Sequence, residues 1–245
     1  MTNFQIEILK SARPETIPEL PKRLYWKAKL LGKHRISEYL WNYYERESER
    51  RVPFYLPYIY MKESFDYLRR YARIPKKQIN MVLIDDGDAR TDYLLSVFLG
   101  ELNYVTIVTD RIRYFESLQE RAFQELGLLI DLVHSWEKKN LHGNLVWDFS
   151  EEMQKPDCYP AGSICFVPHK EEWKIKEIVK FCPEVTVVTF AAVETADGEM
   201  SPAMAECLVI PPDFPFRQTR CEELKNWCVK KNWCVKMGVQ KAEKP

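Results

Sequence analysis

Glycine is scarce in this chain, with 8 residues in 245. Neither charge is in excess, since Lys plus Arg and Asp plus Glu each number 36, so no overall field draws the protein toward nucleic acid or an anionic membrane. No apolar run approaches the roughly 20 residues that span a bilayer. The segment Met1 to Gln5 lacks the basic and apolar regions of a signal peptide. We therefore expect a cytoplasmic protein that binds neither nucleic acid nor membrane.

Metal-binding and triad motifs are missing as well. The 7 cysteines include no CxxC pair, the spacing that zinc sites commonly use. His134, His142 and His169 are too scattered for a metal motif, and none belongs to a recognisable catalytic triad. The sequence therefore predicts reduced structural thiols, no metal site and no assignable catalytic residue.

Residues 1–78 are rich in aromatic and basic residues, with prolines at irregular spacing. Apolar residues at helical spacing predict short helices near 24–31 and 36–43, and a third from Lys62 to Tyr71. Pro53 to Tyr60 is predicted to be irregular. This gives a small, mainly helical N-terminal region, and its Tyr and Trp side chains are suited to contact with a protein partner.

From residue 79 the pattern changes to alternating strands and helices. Short strands rich in Val and Ile, separated by amphipathic helices, predict an α/β fold with a doubly wound, mostly parallel sheet over residues 79–200. Residues 201–245 are predicted to be a helical extension that packs back on this core, with a repeat of Lys-Asn-Trp-Cys-Val-Lys lengthening its last helix. The strands are predicted at 81–85, 104–109, 128–133, 144–149, 163–167 and 185–190, and the helices between them at 89–102, 112–126 and 171–181, with Gly127 as a C-cap and a polar loop at 191–200.

In such a sheet a ligand binds beyond the carboxyl ends of the strands, here near Gly87, Asp110, His134, Ser150 and His169. The turn after the first strand reads Asp85-Asp86-Gly87-Asp88-Ala89-Arg90. Dinucleotide-binding turns have glycines at three positions, and only Gly87 matches. The carboxylates of this turn would face a diphosphate, and Arg90 could offset only part of their negative charge. The ordinary pose of NAD(P) is therefore disfavoured. Asp88 is also suited to be the N-cap of the helix.

Asp110 ends the second strand, roughly twenty residues after the turn, where an acid binds a ribose 2′-hydroxyl. Arg111 and Arg113 beside it would instead suit a 2′-phosphate. An equally good interpretation is that Asp110 caps the next helix and the arginines are solvated. The candidate cofactor-binding residues are Gly87, Asp88, Arg90, Asp110, Arg111 and Ser150.

Residues 79–190 resemble the NAD(P)-binding Rossmann domain of the shikimate dehydrogenase and glutamyl-tRNA reductase group. The similar segments are Val82 to Ile84 with Gly87 and Ala89, Val108 to Arg111, Asn144 to Ser150, and Tyr159 to Ile164. The resemblance implies a Rossmann-like fold and NAD or NADP as cofactor, with Asp110-Arg111 in place of that group's cofactor-choosing motif. The group's catalytic lysine and aspartate have no matching motif here.

Two other interpretations stay open. S-adenosylmethionine lacks phosphates, so a methyltransferase could use Asp85, Gly87 and Asp110. A phosphatase similar to haloacid dehalogenases would use Asp86 and Asp88 with Thr109, Asp148 and Glu152 around magnesium. The favoured interpretation is a non-catalytic nucleotide-sensing or scaffold protein with a degenerate dinucleotide site; the main alternative is an NAD(P)-dependent oxidoreductase of a small molecule.

Overall fold

The computed structural model describes residues 56–135 except 86 and 88, and residues 141–150, 154, 156–168, 172–195, 198–209, 218–230 and 232–241. The helices predicted near 24–31 and 36–43 lie outside these residues. The chain forms two compact units: a larger one of Tyr60–Thr189 with Met237–Pro245, and a smaller one of Met1–Ile59 with Phe190–Lys236.

The larger unit is built on a parallel sheet. Its strands follow the spatial order β3-β2-β1-β4-β5-β6, and every neighbouring pair is parallel. The strand order changes direction between β1 and β4, which is the doubly wound arrangement that the sequence predicts. The strands are β1 (Asn80–Ile84), β2 (Tyr104–Val108), β3 (Leu129–Val133), β4 (Leu145–Asp148), β5 (Ile164–Phe166) and β6 (Thr186–Thr195).

Alternate residues of the central strands cover opposite faces of this sheet. Val82 and Val146 pack with Ile175 and Ile178 in one apolar cluster, whereas Trp147 lies edge-on to Phe98, with ring centroids 5.2 Å apart. Both faces are therefore covered by helices, which explains why these strands are apolar throughout. The helices of this unit are α2 (Met61–Ala72), α3 (Ala89–Phe98), α4 (Ile112–Leu126) and α5 (Glu172–Phe181).

Helix α4 shows how the sequence sets the edge of the sheet. It ends at Gly127, whose φ of 67° is the left-handed conformation that glycine adopts without strain, so the predicted C-cap is confirmed. Gln119 on this helix donates a hydrogen bond of 2.6 Å to the carbonyl of Ile130 in β3. The N–H of Leu129 and the C=O of Val133 both form hydrogen bonds on the side of β2. Because backbone groups of successive strand residues point to alternate sides, the carbonyl of Ile130 points away from β2.

The smaller unit holds the short helix α1 (Leu56–Ile59), the end of β6, β7 (Gly198–Met200), α6 (Pro202–Val209), α7 (Gln218–Lys230) and β8 (Cys234–Gln240), whose last four residues are grouped with the larger unit. The segment predicted to be irregular before Tyr60 is thus partly helical. The predicted loop at 191–200 is also wrong, because β6 continues to Thr195 and pairs antiparallel with β7. Gly198, with φ 144°, allows the return of the chain.

The tail repeat does not lengthen one helix. The first copy ends α7 at Lys230, whereas the second copy leads into β8, which pairs with β6. Asn232 takes the left-handed conformation at φ 56°, and the N–H of Trp233 donates to Cys228 O at 2.9 Å. Asn tolerates this conformation better than most residues, so it ends the helix where the prediction extended it.

No helix in the described part of the chain is long and apolar enough to cross a membrane. Five cysteine side chains in the described part of the chain form no disulfide: Cys158, Cys165, Cys182, Cys228 and Cys234. Burial, followed by the nearby Asp148 carboxylate, raises the pKa of Cys165. Cys158, Cys165, Cys182 and Cys228 are buried, as packing residues are, whereas Cys234 is exposed.

Candidate functional site

Polar residues follow four neighbouring strands at the carboxyl edge of the sheet. Asp85 follows β1, Thr109 and Asp110 follow β2, His134 and Ser135 follow β3, and Ser150 follows β4 after Phe149. The reversal of strand order falls between β1 and β4, where open parallel sheets bind ligands. The candidate site is therefore this edge, with Asp85 and Ser150 on the two sides of the reversal.

Asp85 is the centre of the best-defined cluster. Its side chain is 2% exposed, and Arg111 binds both carboxylate oxygens, Nη2 to Oδ1 at 2.7 Å and Nε to Oδ2 at 2.9 Å. Thr91 Oγ1 donates to Oδ1 at 2.7 Å, and Thr109 Oγ1 donates to Oδ2 at 2.6 Å. The N–H of Gly87 also donates to Oδ1, at 3.1 Å. The buried charge is thus paired and fully hydrogen-bonded, as its burial requires.

The cluster keeps Asp85 ionised. Burial alone raises the pKa of the Asp85 carboxyl, but the hydrogen bonds from Arg111, Thr109, Thr91 and Gly87 together outweigh burial and lower that pKa below its usual value. The guanidinium of Arg111 also lies over two aromatic rings, 4.9 Å from the centroid of Tyr114 and 5.3 Å from that of Phe115. Arg111 is therefore held from several directions.

This geometry corrects one electrostatic argument from the sequence. Asp85 was expected to oppose a diphosphate as an uncompensated charge, with Arg90 as the residue to offset it; instead Arg111 neutralises it. Asp86 and Asp88 lie outside the described residues, as does the side chain of Arg90. Gly87 has φ 84° and nothing within 4 Å of where a Cβ would stand, so the backbone there is open.

Asp110 occupies a different setting at the end of β2. Its side chain is 72% exposed. Ser135 Oγ donates to Asp110 Oδ1 at 2.6 Å, and His134 Nδ1 lies 3.8 Å from the same oxygen. The structure thus joins Asp110 to the end of β3, whereas Arg111, its neighbour in sequence, joins the end of β1. An exposed carboxylate fixed by a serine hydroxyl is a ready acceptor for a ligand hydroxyl.

Ser150 belongs to a buried network at the end of β4. Asp148 is fully buried, and its Oδ1 accepts from Ser150 Oγ at 2.6 Å and pairs with Lys174 Nζ at 2.9 Å. Asp148 Oδ2 accepts from Tyr159 OH at 2.7 Å. Lys174 also donates to the carbonyl oxygen of Ser150 and, at 3.2 Å, to its hydroxyl. Burial and the carboxylate of Asp148 raise the pKa of Tyr159, which keeps this phenol protonated.

Sequence reasoning missed Lys174 and Tyr159. Lys174 comes four residues before Ile178, on the helix face that packs on the sheet, and a lysine in that position is a signal of a buried partner. The network uses Asp148 internally. Thr109 donates its hydroxyl to Asp85 and so belongs to a different hydrogen-bond network from Asp148, although the phosphatase interpretation grouped the two around magnesium.

The three clusters divide the predicted site residues. Gly87 and Arg111 meet at Asp85, Asp110 lies with Ser135 and His134, and Ser150 lies with Asp148 and Lys174. The predicted residues His169 and Asp88 lie outside the described part of the chain. Within that part, no three His, Cys, Asp or Glu side chains are grouped to hold a metal ion.

No family model and no curated protein matches this chain. Among solved structures, the shikimate 5-dehydrogenase of Listeria monocytogenes, in complex with shikimate and NAD, aligns with a TM-score of 0.37 and 11% identity. The alignment covers 66% of this chain and 61% of that one, so the chain spans less than two thirds of that neighbour's length. The strand order itself shows the Rossmann-like fold. The structure does not show the glycine-rich turn of dinucleotide-binding proteins.

Proposed function

We propose that this protein is a non-catalytic, Rossmann-like nucleotide sensor that binds an adenosine ligand at the carboxyl edge of the sheet. The observation that carries the proposal is the engagement of Asp85. Its carboxylate accepts hydrogen bonds from the Gly87 N–H of the turn and from the Arg111 guanidinium, two donors that a phosphate at this edge would otherwise use. The carboxylate of Asp85 thus occupies donors that an anionic ligand would need. This supports the interpretation of the diphosphate site as degenerate.

Asp110 supports the adenosine part of the proposal. It ends the second strand of a sheet in dinucleotide-binding order, where an acid accepts a hydrogen bond from a ribose hydroxyl. Its exposure leaves it accessible to a ligand, and Ser135 orients it. A hydrogen bond to a charged acceptor contributes roughly 1.5–3 kcal/mol.

The burial of the acid–base groups in the Asp148 network supports a non-catalytic role. Among the described residues, Asp148, Lys174 and Tyr159 are each at least 95% buried and bonded to one another or to Ser150. Asp85 is equally enclosed. A general acid or base must reach a substrate proton within hydrogen-bonding distance, and these groups are directed into the protein.

An NAD(P)-dependent oxidoreductase is the second candidate. The strand order favours it, and so does the compensation of Asp85 by Arg111, because this removes one of the charges that would repel a diphosphate. Gly87 and Asp110 would then contact the cofactor. A methyltransferase that uses S-adenosylmethionine shares the Asp110 contact. A scaffold without any ligand is the remaining form of the non-catalytic proposal.

Thermal unfolding with AMP, ADP, NAD, NADP and S-adenosylmethionine tests the sensor proposal. A ligand at 100 times its dissociation constant should add about 2.7 kcal/mol to the free energy of unfolding. Asp110→Ala should abolish the stabilisation by adenosine ligands, whereas Asp66→Ala, at a partly exposed position of α2, is the matched control and should retain it. No stabilisation by any of the five compounds would overturn nucleotide sensing and leave the scaffold. Oxidation of NADH or NADPH with a panel of carbonyl compounds would overturn the non-catalytic role.

A further inference from the structure

We infer that Asp85 determines nucleotide specificity: by holding Arg111, it makes the site at Asp110 select an unmodified ribose 2′-hydroxyl over a 2′-phosphate. The inference rests on the proposed function, because it concerns the same site. From the sequence alone, Asp110 favours a ligand with a ribose 2′-hydroxyl, whereas Arg111 favours a ligand with a 2′-phosphate. In the structure the Asp110 side chain contacts the residues after β3, whereas the Arg111 side chain contacts Asp85 after β1.

Arg111 is committed to Asp85. Two of its nitrogens bind the two oxygens of that carboxylate in the fork geometry that a phosphate would also use. Its guanidinium is further packed over Tyr114 and Phe115. Turning it toward a phosphate beside Asp110 would leave a buried carboxylate without its cation and expose two aromatic faces. Asp85 is therefore a positioning residue that removes Arg111 from phosphate binding.

Asp110 completes the selection. A ribose 2′-hydroxyl can donate to its exposed carboxylate, whereas a 2′-phosphate brings like charges together at hydrogen-bonding distance. Arg113, in the first turn of α4, is exposed and is not part of the Asp85 cluster. His134 is the other titratable group against Asp110, so all binding is measured at one fixed pH.

The test compares 5′-AMP with adenosine 2′,5′-bisphosphate, which differ only in the 2′-phosphate and lack a diphosphate. Calorimetric titration of the full chain should give at least about tenfold tighter binding of 5′-AMP. Asp85→Asn should release Arg111 and reduce this ratio by about tenfold. Glu116→Gln makes the same change of charge at an exposed site on α4 and should keep the ratio of the wild type. Asp110→Asn, at an exposed residue, should also reduce the ratio without depending on the buried cluster.

The outcomes separate the two proposals. Equal binding of both compounds by the wild type, or tighter binding of the bisphosphate, overturns the inference and leaves nucleotide sensing in place. An unchanged ratio in folded Asp85→Asn also overturns it. If Asp85→Asn does not fold, an unchanged ratio in Asp110→Asn overturns it instead. Binding of neither compound overturns nucleotide sensing, and the specificity inference with it.

Discussion

The side chain of Asp85 shows what a buried charge requires of its neighbours. An ionised carboxylate that is 2% exposed would be unstable alone, and here it has one bidentate cation, two hydroxyl donors and one backbone N–H. These donors come from β1's own turn, the start of α3 and the end of β2. The cluster therefore fixes the first crossover of the fold at its carboxyl end.

Arg111→Leu tests how strongly the fold depends on this pair. Removing the cation leaves Asp85 buried without compensation, so we expect a loss of about 3 kcal/mol in the free energy of unfolding. Urea unfolding at pH 7 measures it. Arg113→Leu, an exposed change on the same helix, should alter stability by less than about 0.5 kcal/mol. Equal effects of the two substitutions would contradict the role assigned to Arg111.

The pair of Asp85 and Arg111 makes the free energy of unfolding depend on pH in a defined direction. The pKa of Asp85 is lowered in the folded protein from its ordinary value of 3.8, so the unfolded chain takes up the proton first on acidification. The stabilisation is therefore complete above the ordinary pKa and is lost as the pH falls through the lower, folded value. The difference in free energy of unfolding between wild type and Asp85→Asn should be constant from pH 7 to 5 and shrink below pH 4. Urea unfolding at pH 7, 5, 4 and 3 checks this; a difference at pH 3 that is as large as the one at pH 7 would count against it.

At the scale of elements, the network around Asp148 joins the end of β4 to α5 and to the segment before β5. Lys174→Met removes the cation and leaves Asp148 buried, so we expect a loss of about 3 kcal/mol. Lys176→Met is the control, because that side chain is 76% exposed. Combining Lys174→Met with Asp148→Asn should cost less than the sum of the two single changes, since they act on one pair. Additive losses in urea unfolding would show that the pair is not coupled.

Gly143 marks a close approach just before β4. A Cβ there would lie 2.7 Å from Val82 Cγ2 and 3.3 Å from the carbonyl of Asn80. Val82 is a buried strand residue that cannot easily move, so Gly143→Ala should cost about 1–3 kcal/mol. Gly100→Ala is the matched control, with nothing within 4 Å of its Cβ. Thermal unfolding compares the two, and an equal shift in Tm would refute the steric argument.

At the scale of the whole molecule, the alternation of elements was predictable and the long-range contacts were not. The strands and helices from 79 to 190 are encoded locally, by runs such as Met81 to Ile84 and by the C-cap Gly127, and they appear within a few residues of their predicted bounds. The partners of Asp85 were not predictable, because Arg111 lies 26 residues away along the chain and meets it only through the pairing of β1 with β2.

The tail repeat shows most clearly why some elements could not be predicted from the sequence. Two identical segments have identical intrinsic propensities, yet one ends a helix and the other enters a strand. Tertiary context decides between them: Cys228 is fully buried in the first copy, whereas its equivalent Cys234 is exposed in the second and lies near Glu194. Periodicity within a segment cannot show such a difference.

The hydrogen bond from Gln119 to Ile130 has a consequence for encounters between molecules. Strand β3 ends the strand order of the described sheet, and its outward carbonyl at Ile130 is already occupied by a side chain of the same chain. A foreign strand that approached this border would have to displace that amide before it could form a regular ladder. We therefore expect Gln119 to oppose the addition of a strand at this position of the border.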